Sequence, residues 1–266
     1  MLRLSPLVPA ALALLLIAPA AVAASPSVAL DAPAQRVVIE GLPAVSEDGK
    51  LVAYAVTDSI GMSGIQVTEA IVLAPTTPGG REKRLKLQRW TGEEVTTDTA
   101  NLEAANRALA TATWRKLLPL EEAPGSEWTE SGALMPDALA FYQTADGAWR
   151  VGLNDRSVRV ERPAEAHGWR RAWPSGVAKA RGKATTWDEE GREHNAGSCG
   201  DLKMPTPYLD PQTGVLLVEV RFVDYTGDEA RSCALPAPAF VVHRLVPGKT
   251  PAGWKRVPRT PTTPEE

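Results

Sequence analysis

The sequence contains few of the side chains that most often carry chemistry. Among 266 residues there are only two cysteines and three histidines, His167, His194 and His243. No two of these histidines have the spacing that brings metal ligands together on one helix or hairpin, which excludes a sequence-local zinc site. G-x-S-x-G and S-x-x-K motifs and Gly-rich phosphate loops are also absent. We therefore expect a non-enzymatic protein without a cofactor.

After its first residues, the chain also lacks any apolar run long enough to span a bilayer. At the start of the chain lies a shorter apolar run, Leu7–Ala18, which is followed by the small residues Ala21-Val22-Ala23. This order is typical of a secretory signal peptide, so we predict a signal peptide over residues 1–24 and a periplasmic or extracellular location. An uncleaved membrane anchor is the alternative, which Pro9 and Pro19 disfavour. No cysteine follows the apolar run, which argues against a lipid anchor.

The chain has no excess of basic residues. Its formal net charge is −3, and it becomes more negative when Arg3 is removed with the predicted signal peptide. A mildly acidic protein has no general attraction to nucleic acid or to anionic lipid. We expect a protein or carbohydrate partner, no nucleic acid, and no membrane span after signal cleavage.

What the sequence does contain is strand periodicity. In the stretch Gly214–Cys233, Leu216, Val218, Val220 and Phe222 alternate with the residues of the other face. This period of two predicts a half-buried strand over Val215–Tyr225. The next apolar run, Phe240–Val246, is expected to pair with it.

The first half predicts a series of strands joined by short turns. Gln35–Glu40, Lys50–Asp58, Gly64–Ala74 and Arg84–Trp90 alternate in this way, and Asp48-Gly49 is a strong hairpin signal. Consecutive strands with short turns indicate an antiparallel meander.

One part of this meander resembles a known repeat. Leu42–Val56, LPAVSEDGKLVAYAV, is similar to the P-x-x-S-x-D-G-K turn and strand of TolB-like β-propeller blades. A propeller repeats its blade at least four times, and the sequence presents this motif once. We therefore interpret the stretch as a tight hairpin and infer no function from it.

A single helix is predicted over Thr99–Leu118. Asp98 or Thr97 can cap it, Arg115 and Lys116 suit its last turn, and Pro119 would end it. Its apolar stripe is expected to pack on the meander.

An acidic linker over Glu121–Glu130 is the predicted boundary between two halves. Residues 25–120 would form the meander with its helix, and residues 121–246 an antiparallel region that could share the same core. A second Asp-Gly turn, Asp146-Gly147, supports strands in the second half. Pro247–Glu266 is rich in proline and predicts a disordered tail. The predicted fold class is therefore α+β and β-rich.

The two cysteines, Cys199 and Cys233, are predicted to form one disulfide that closes the C-terminal sheet, since export favours oxidation. A redox-active pair is the alternative, and it lacks the C-x-x-C spacing.

Two candidate sites follow from local composition. Trp169 and Trp173 flank Arg170 and Arg171, and tryptophan beside arginine often forms carbohydrate- or protein-binding surfaces. The same tryptophans could instead fill the core or cap a sheet. The polar stretch Asp188–Asp201 suggests a metal site or general base at His194 and Asp201, although a solvated loop would have the same composition.

The prediction for function is an exported binding or envelope-assembly protein. The alternative is an exported hydrolase or metal-dependent enzyme that uses the polar stretch around His194. A further basic segment, Arg81–Arg89, is either a solvated face that protects an edge strand or a site for an anionic polymer.

Overall fold

Strands dominate the computed structural model, which describes residues 25–33, 35–60, 65–91, 94–126, 138–162, 164–174, 177, 183–187, 193–198, 201–223, 231–233, 238–246 and 249–259. The predicted signal peptide lies outside these residues. One helix is present in the described part, α1 (Thr99–Leu109). The strands are β1 (Ser27–Asp31), β2 (Arg36–Glu40), β3 (Ala44–Ser46), β4 (Leu51–Ile60), β5 (Ile65–Pro75), β6 (Lys83–Lys86), β7 (Gln88–Trp90), β8 (Val95–Thr97), β9 (Trp114–Lys116), β10 (Leu118–Pro119), β11 (Glu121–Glu122), β12 (Ala140–Gln143), β13 (Arg150–Leu153), β14 (Ser157–Glu161), β15 (His167–Ala172), β16 (Lys183–Trp187), β17 (Glu193–Ser198), β18 (Asp201–Asp210), β19 (Val215–Val223), β20 (Arg231–Cys233), β21 (Ala239–Arg244) and β22 (Lys255–Pro258). The β-rich α+β class is confirmed.

The predicted N-terminal meander forms, with one change of membership. β3, β4, β5 and β6 pair consecutively and antiparallel, and β9 extends the sheet beside β3. β2 was expected in this meander, but it pairs with β1 in a separate two-stranded sheet. Ser27–Asp31, in the stretch before it, is therefore also a strand. Val28 and Val37 are buried in the same cluster as Ile71, which gives this hairpin its packing.

The second half contains three further sheets. β11 to β15 and β22 form six strands in the order β11-β12-β13-β14-β15-β22. β10, β18, β19 and β21 form a four-stranded sheet, in which β19 pairs with β21 as predicted. β16 lies between β17 and β20 in a three-stranded sheet. Every recorded pairing is antiparallel.

One extended segment, Trp114–Glu122, borders three sheets: the five-stranded sheet of the first half and the four- and six-stranded sheets of the second. Its three short strands pair with β3, β18 and β12, each of which begins a run of antiparallel strands. Between them, the Leu117 N–H donates to the Pro43 carbonyl at 2.8 Å and the Leu120 N–H to the Pro207 carbonyl at 2.9 Å. The segment therefore satisfies the backbone groups of three sheets that would otherwise have open edges at this point.

The helix is shorter than predicted. Asp98 caps it by accepting the Asn101 N–H at 2.9 Å, as expected, but it ends at Leu109 rather than Leu118. After Leu109, the Trp114 indole N–H donates to the Leu109 carbonyl at 2.5 Å, and residues 114–116 pair with β3. A tertiary strand pairing thus replaces the second half of the helix. Arg115 and Lys116 do not lie in its last turn.

Two Asp-Gly turns share one hydrogen-bond pattern. In the first, Ser46 Oγ donates to Asp48 Oδ1 at 2.8 Å and accepts the Leu51 N–H at 2.9 Å. In the second, Thr144 Oγ1 donates to Asp146 Oδ1 at 2.6 Å and accepts the Trp149 N–H at 3.1 Å. The second turn, between β12 and β13, thus repeats the hydrogen bonding of the first, with threonine in place of serine.

A hydrophobic cluster joins residues from both sides of the predicted linker. It includes Val45, Val52 and Tyr54 from the first half with Val215 and Leu217 from the second. The Tyr54 and Phe240 rings stack with centroids 4.3 Å apart. Two larger clusters lie on either side of it, one beneath the helix and one between the six- and four-stranded sheets.

The C-terminal stretch differs from the predicted disordered tail. Lys255–Pro258 forms β22, which pairs with β15 at the edge of the six-stranded sheet. Trp254, just before it, is buried in the core cluster of that sheet. Burial of this indole supplies a reason for the chain to return to the sheet despite its prolines. Residues 260–266 lie outside the described part.

Candidate ligand-binding surface

The six-stranded sheet carries a row of basic side chains on the face that points away from its core. Val151, Val160 and Trp169 are buried in the core cluster and define the inner face. Alternation along the strands places the intervening residues on the opposite, outer face. There, Arg159 lies opposite Arg170 on β15, and Arg170 lies opposite Lys255 on β22. We call these three residues the basic row.

Two glycines make room on this outer face. A Cβ at Gly152 would lie 3.1 Å from the Phe141 ring, and one at Gly168 would lie 2.9 Å from Glu161 Cγ. Because neither glycine has a side chain, Phe141 and Glu161 can lie across the neighbouring strands. The phenyl ring in turn supports Arg150, whose guanidinium carbon is 3.9 Å from the ring centroid.

The buried Glu161 carboxylate interacts with more than one cation beside the row. Glu161 is 2 % exposed and its carboxylate contacts Arg159 Nε. Burial lowers the pKa of the Arg150 guanidinium, Glu161 opposes this effect, and the charges of Arg159 and Arg259 add to it. Positive charge therefore exceeds negative charge around Glu161.

The other two members of the row are exposed. Arg170 Nε donates to Ser157 Oγ at 3.2 Å, and Lys255 lies on the edge strand. Within the described part of the chain, no carboxylate lies within ion-pair distance of Arg170 or Lys255. The outer face is thus locally positive on a protein of net negative charge, and its guanidinium and ammonium groups are donors suited to carboxylate, sulfate or phosphate.

The four residues of the predicted tryptophan and arginine site do not converge. Trp169 is 6 % exposed and belongs to the core. Arg171 shares its face, whereas Arg170 lies on the outer face. Trp173 packs against the core, with its indole N–H donating to the Asn154 carbonyl at 2.8 Å. Of the four, only Arg170 lies on the outer face with the basic row.

Arg171 instead reaches a buried histidine. Its Nη1 lies 3.3 Å from His243 Nδ1, and the His243 and Trp254 rings meet edge to face with centroids 5.0 Å apart. Burial, and then the charge of Arg171, lowers the pKa of His243 to about 3. Since arginine only donates, Nδ1 accepts and the proton resides on Nε2, which is buried without a partner among the described residues. His243 lies on β21, and this neutral imidazole lies apart from the outer face.

The proposed metal ligands lie in different sheets. His194 is on β17, opposite Thr186, and Asp201 begins β18, opposite Val223. Part of the predicted polar loop is therefore a strand, while the side chains of both residues lie outside the described part. Among the described residues, no group of three histidine, cysteine or acidic side chains could hold a metal ion.

The predicted disulfide involves one residue, Cys199, that lies outside the described part. Its neighbour Ser198 pairs with Lys183, and Cys233 pairs with the next residue of β16, Ala184.

A shallow cleft of about 620 Å³ lies at the first Asp-Gly turn. Its charged walls are Glu47, Asp48 and Lys50. The Lys50 ammonium is 2.9 Å from Asp48, and both side chains are more than half exposed. This ion pair, with hydrogen bonds from Ser46 and the Lys50 backbone, holds the pKa of Asp48 well below its usual range. The Asp48 carboxylate thus stabilises the turn through these hydrogen bonds.

The second basic segment, predicted over Arg81–Arg89, forms the edge strand β6 and the start of β7. Arg84 pairs with Glu69 at 3.2 Å across the strands. Gln88, within this segment, is buried and accepts the Thr68 N–H at 3.0 Å. The run is interrupted at Leu87, which is almost fully buried.

Sequence reasoning missed Arg150, Arg159 and Lys255 as members of one surface. The alternation in Ser157–Glu161 could have assigned Arg159 to an outer face. That alternation does not reveal which strands are neighbours.

No family profile, curated protein or solved structure matches this chain. Within the described residues, no helix combines the length and apolar character needed to cross a membrane.

Proposed function

We propose that this chain is an exported, non-catalytic protein that binds an anionic ligand on the outer face of its six-stranded sheet. The observation that supports the proposal is the basic row, in which Arg170 and Lys255 face each other across two strands without a carboxylate between them. Like charges in directly opposed positions oppose sheet pairing unless an anion compensates them. The sequence pattern of residues 1–24 supports export.

Binding to a polyanionic matrix tests for a local positive face, because the net negative charge of the protein opposes such binding. At pH 7.5 and low salt, the mature chain should be retained on a sulfated dextran matrix and released as salt screens the charges. Arg170→Ala/Lys255→Ala should lose this retention. Lys83→Ala/Lys86→Ala, which removes two charges from the other basic segment, is the matched control and should be retained like the wild type. Equal elution of the two variants would contradict the proposal.

The predicted disulfide between Cys199 and Cys233 belongs to the same proposal of export. It would close a loop of 34 residues and stabilise the fold by about 3 to 4 kcal/mol in the chain-entropy account. Thiol titration of the unfolded, unreduced protein should detect no free thiol. Two titratable thiols would show that the cysteines are reduced.

A further inference from the structure

The basic row has a direction. Its three residues lie on β14, β15 and β22, one per strand, and each directly faces the next. Neighbouring strands in a sheet are roughly 4.8 Å apart. Cationic side chains therefore recur once per strand along a line that crosses the strands, whereas Val257, two residues along β22 from Lys255, is apolar.

The three cations retain capacity to bind. The Arg159 guanidinium contacts Glu161 through Nε and the Pro258 carbonyl through Nη2, which engages two of its five N–H donors. Its side chain is 17 % exposed, so it is fixed in position rather than free in solvent. Arg170 and Lys255 are exposed beside it. The row thus has one anchored end and two accessible cations.

The surroundings of the row favour a saccharide over a nucleic acid. Single-stranded nucleic acids are held by aromatic side chains on which bases stack. On the described outer face, the Phe141 ring is buried beneath Arg150, and Trp169 belongs to the inner face. No ring on this part of the surface is therefore available for base stacking, while hydrogen-bond donors are abundant.

Resting on the proposed function, we propose that the ligand is a linear acidic polysaccharide that crosses the strands along Arg159, Arg170 and Lys255. A polyuronate, in which each sugar carries one carboxylate, presents one anionic group per repeat to one cation per strand. The contacts to Arg170 and Lys255 are each weak alone because both side chains are exposed to solvent. Contacts along one chain reinforce each other, because the second and third form within a molecule already bound.

The test is calorimetric titration of the mature chain, residues 25–266, with galacturonate, trigalacturonate and hexagalacturonate at low salt. Trigalacturonate is expected to bind at least tenfold more tightly than the monosaccharide, because multivalency multiplies weak contacts. Hexagalacturonate should add less than this, since the row has three cations. Equal affinity for monosaccharide and hexasaccharide would overturn the inference.

Variants and other polyanions complete the test. Arg170→Ala/Lys255→Ala should weaken hexagalacturonate binding about tenfold or more, since each charge-assisted hydrogen bond contributes substantially. Lys83→Ala/Lys86→Ala should leave it within about twofold, as expected for distant sites that do not couple, and Arg170→Lys should restore part of the affinity. Tighter binding of a hexanucleotide, or of phosphatidylglycerol vesicles, with the same dependence on Arg170 would overturn the polysaccharide assignment. Retention on sulfated dextran without binding of any oligogalacturonate would overturn this inference while leaving the proposed function in place.

Discussion

Two regions of the molecule carry three basic residues each on short strands, and their surroundings differ. In β6, Lys83, Arg84 and Lys86 lie on an edge strand and face Leu73, Val72 and Ala70 of β5. In the six-stranded sheet, Arg159, Arg170 and Lys255 face one another. The first arrangement spreads charge along an edge, which protects it from pairing with another chain. The second concentrates charge, because strand register brings together cations that are distant in sequence.

The largest expected difference between the two regions is the loss of folding stability when a carboxylate is removed from each. Glu161 is buried beside Arg159, whereas the Glu69 side chain that pairs with Arg84 is 39 % exposed. We expect Glu161→Gln to destabilise the fold by about 3 kcal/mol, because it leaves a partly buried guanidinium without its counter-charge. Glu69→Gln should cost about 0.5 kcal/mol or less. Urea unfolding of both variants measures the difference, and similar losses would remove the distinction between the regions.

His243 on β21, which contacts Arg171 on the inner side of the six-stranded sheet, adds a pH dependence to the stability of the fold. His243 has a pKa of about 3 when folded, below the unfolded value of about 6.5. The unfolded chain therefore binds more protons between these values, so stability is present above pH 6.5 and is lost as pH falls toward 3. The loss from this group between pH 6.5 and pH 4.5 should be about 2 kcal/mol.

His243→Phe is the variant that isolates this contribution, because an aromatic ring can keep the edge contact with Trp254. Denaturant unfolding of wild type and variant across this range should show a shallower decline for the variant. Parallel pH profiles would indicate that the imidazole does not control the acid response.

The glycines of the outer face distinguish it further from β6, which contains none. Gly168→Ala should destabilise the fold by about 1 to 2 kcal/mol, because the new Cβ would press on Glu161 Cγ and the Val160 carbonyl and overpack the site. Gly79→Ala, at a turn with open space around it but a φ of +78°, is a control for backbone strain alone. Thermal unfolding measures both losses, and the absence of a loss in Gly168→Ala would mean that crowding at Glu161 is unimportant.

The smallest expected effect is a gain of stability. Arg170→Ala/Lys255→Ala should stabilise the ligand-free protein by about 0.5 kcal/mol at low salt, because it relieves like charges in directly opposed positions. The gain should vanish at high salt, where such repulsion is screened. Lys83→Ala/Lys86→Ala should show no salt-dependent gain, since their cross-strand partners are apolar. A loss of stability in the first variant would mean that the row is not under mutual repulsion.

Local patterns predicted much of the strand content. Val215–Val223 pairs with Ala239–Arg244 as expected. His167–Ala172 and Lys255–Pro258 were missed, because tryptophan, arginine and proline in these stretches obscure the alternation. Their strand state depends on burial of Trp169 and Trp254 in a core that distant segments build. The basic row could not be predicted for the same reason, since two of its three strands were missing.

The helix, too, was predictable from local sequence only in part. Its start at Asp98 follows from a side-chain cap that involves neighbouring residues only. Its end depends on β3, which competes for residues 114–116 with backbone hydrogen bonds from a distant part of the chain. Helical periodicity alone extended the prediction nine residues too far, because it does not represent this competition.

By itself, the sequence determined the elements whose energetics are local: alternating strands, Asp-Gly turns whose glycines adopt positive φ, and the capped start of the helix. The tertiary structure decided which strands became neighbours and therefore which charges met. Arg159 and Pro258, in contact across the outer face, are 99 positions apart in the chain. Such a contact depends on the register of three neighbouring strands in one sheet and on the burial of tryptophan side chains beneath it. These are properties of the packed molecule, because no short stretch of sequence contains both partners.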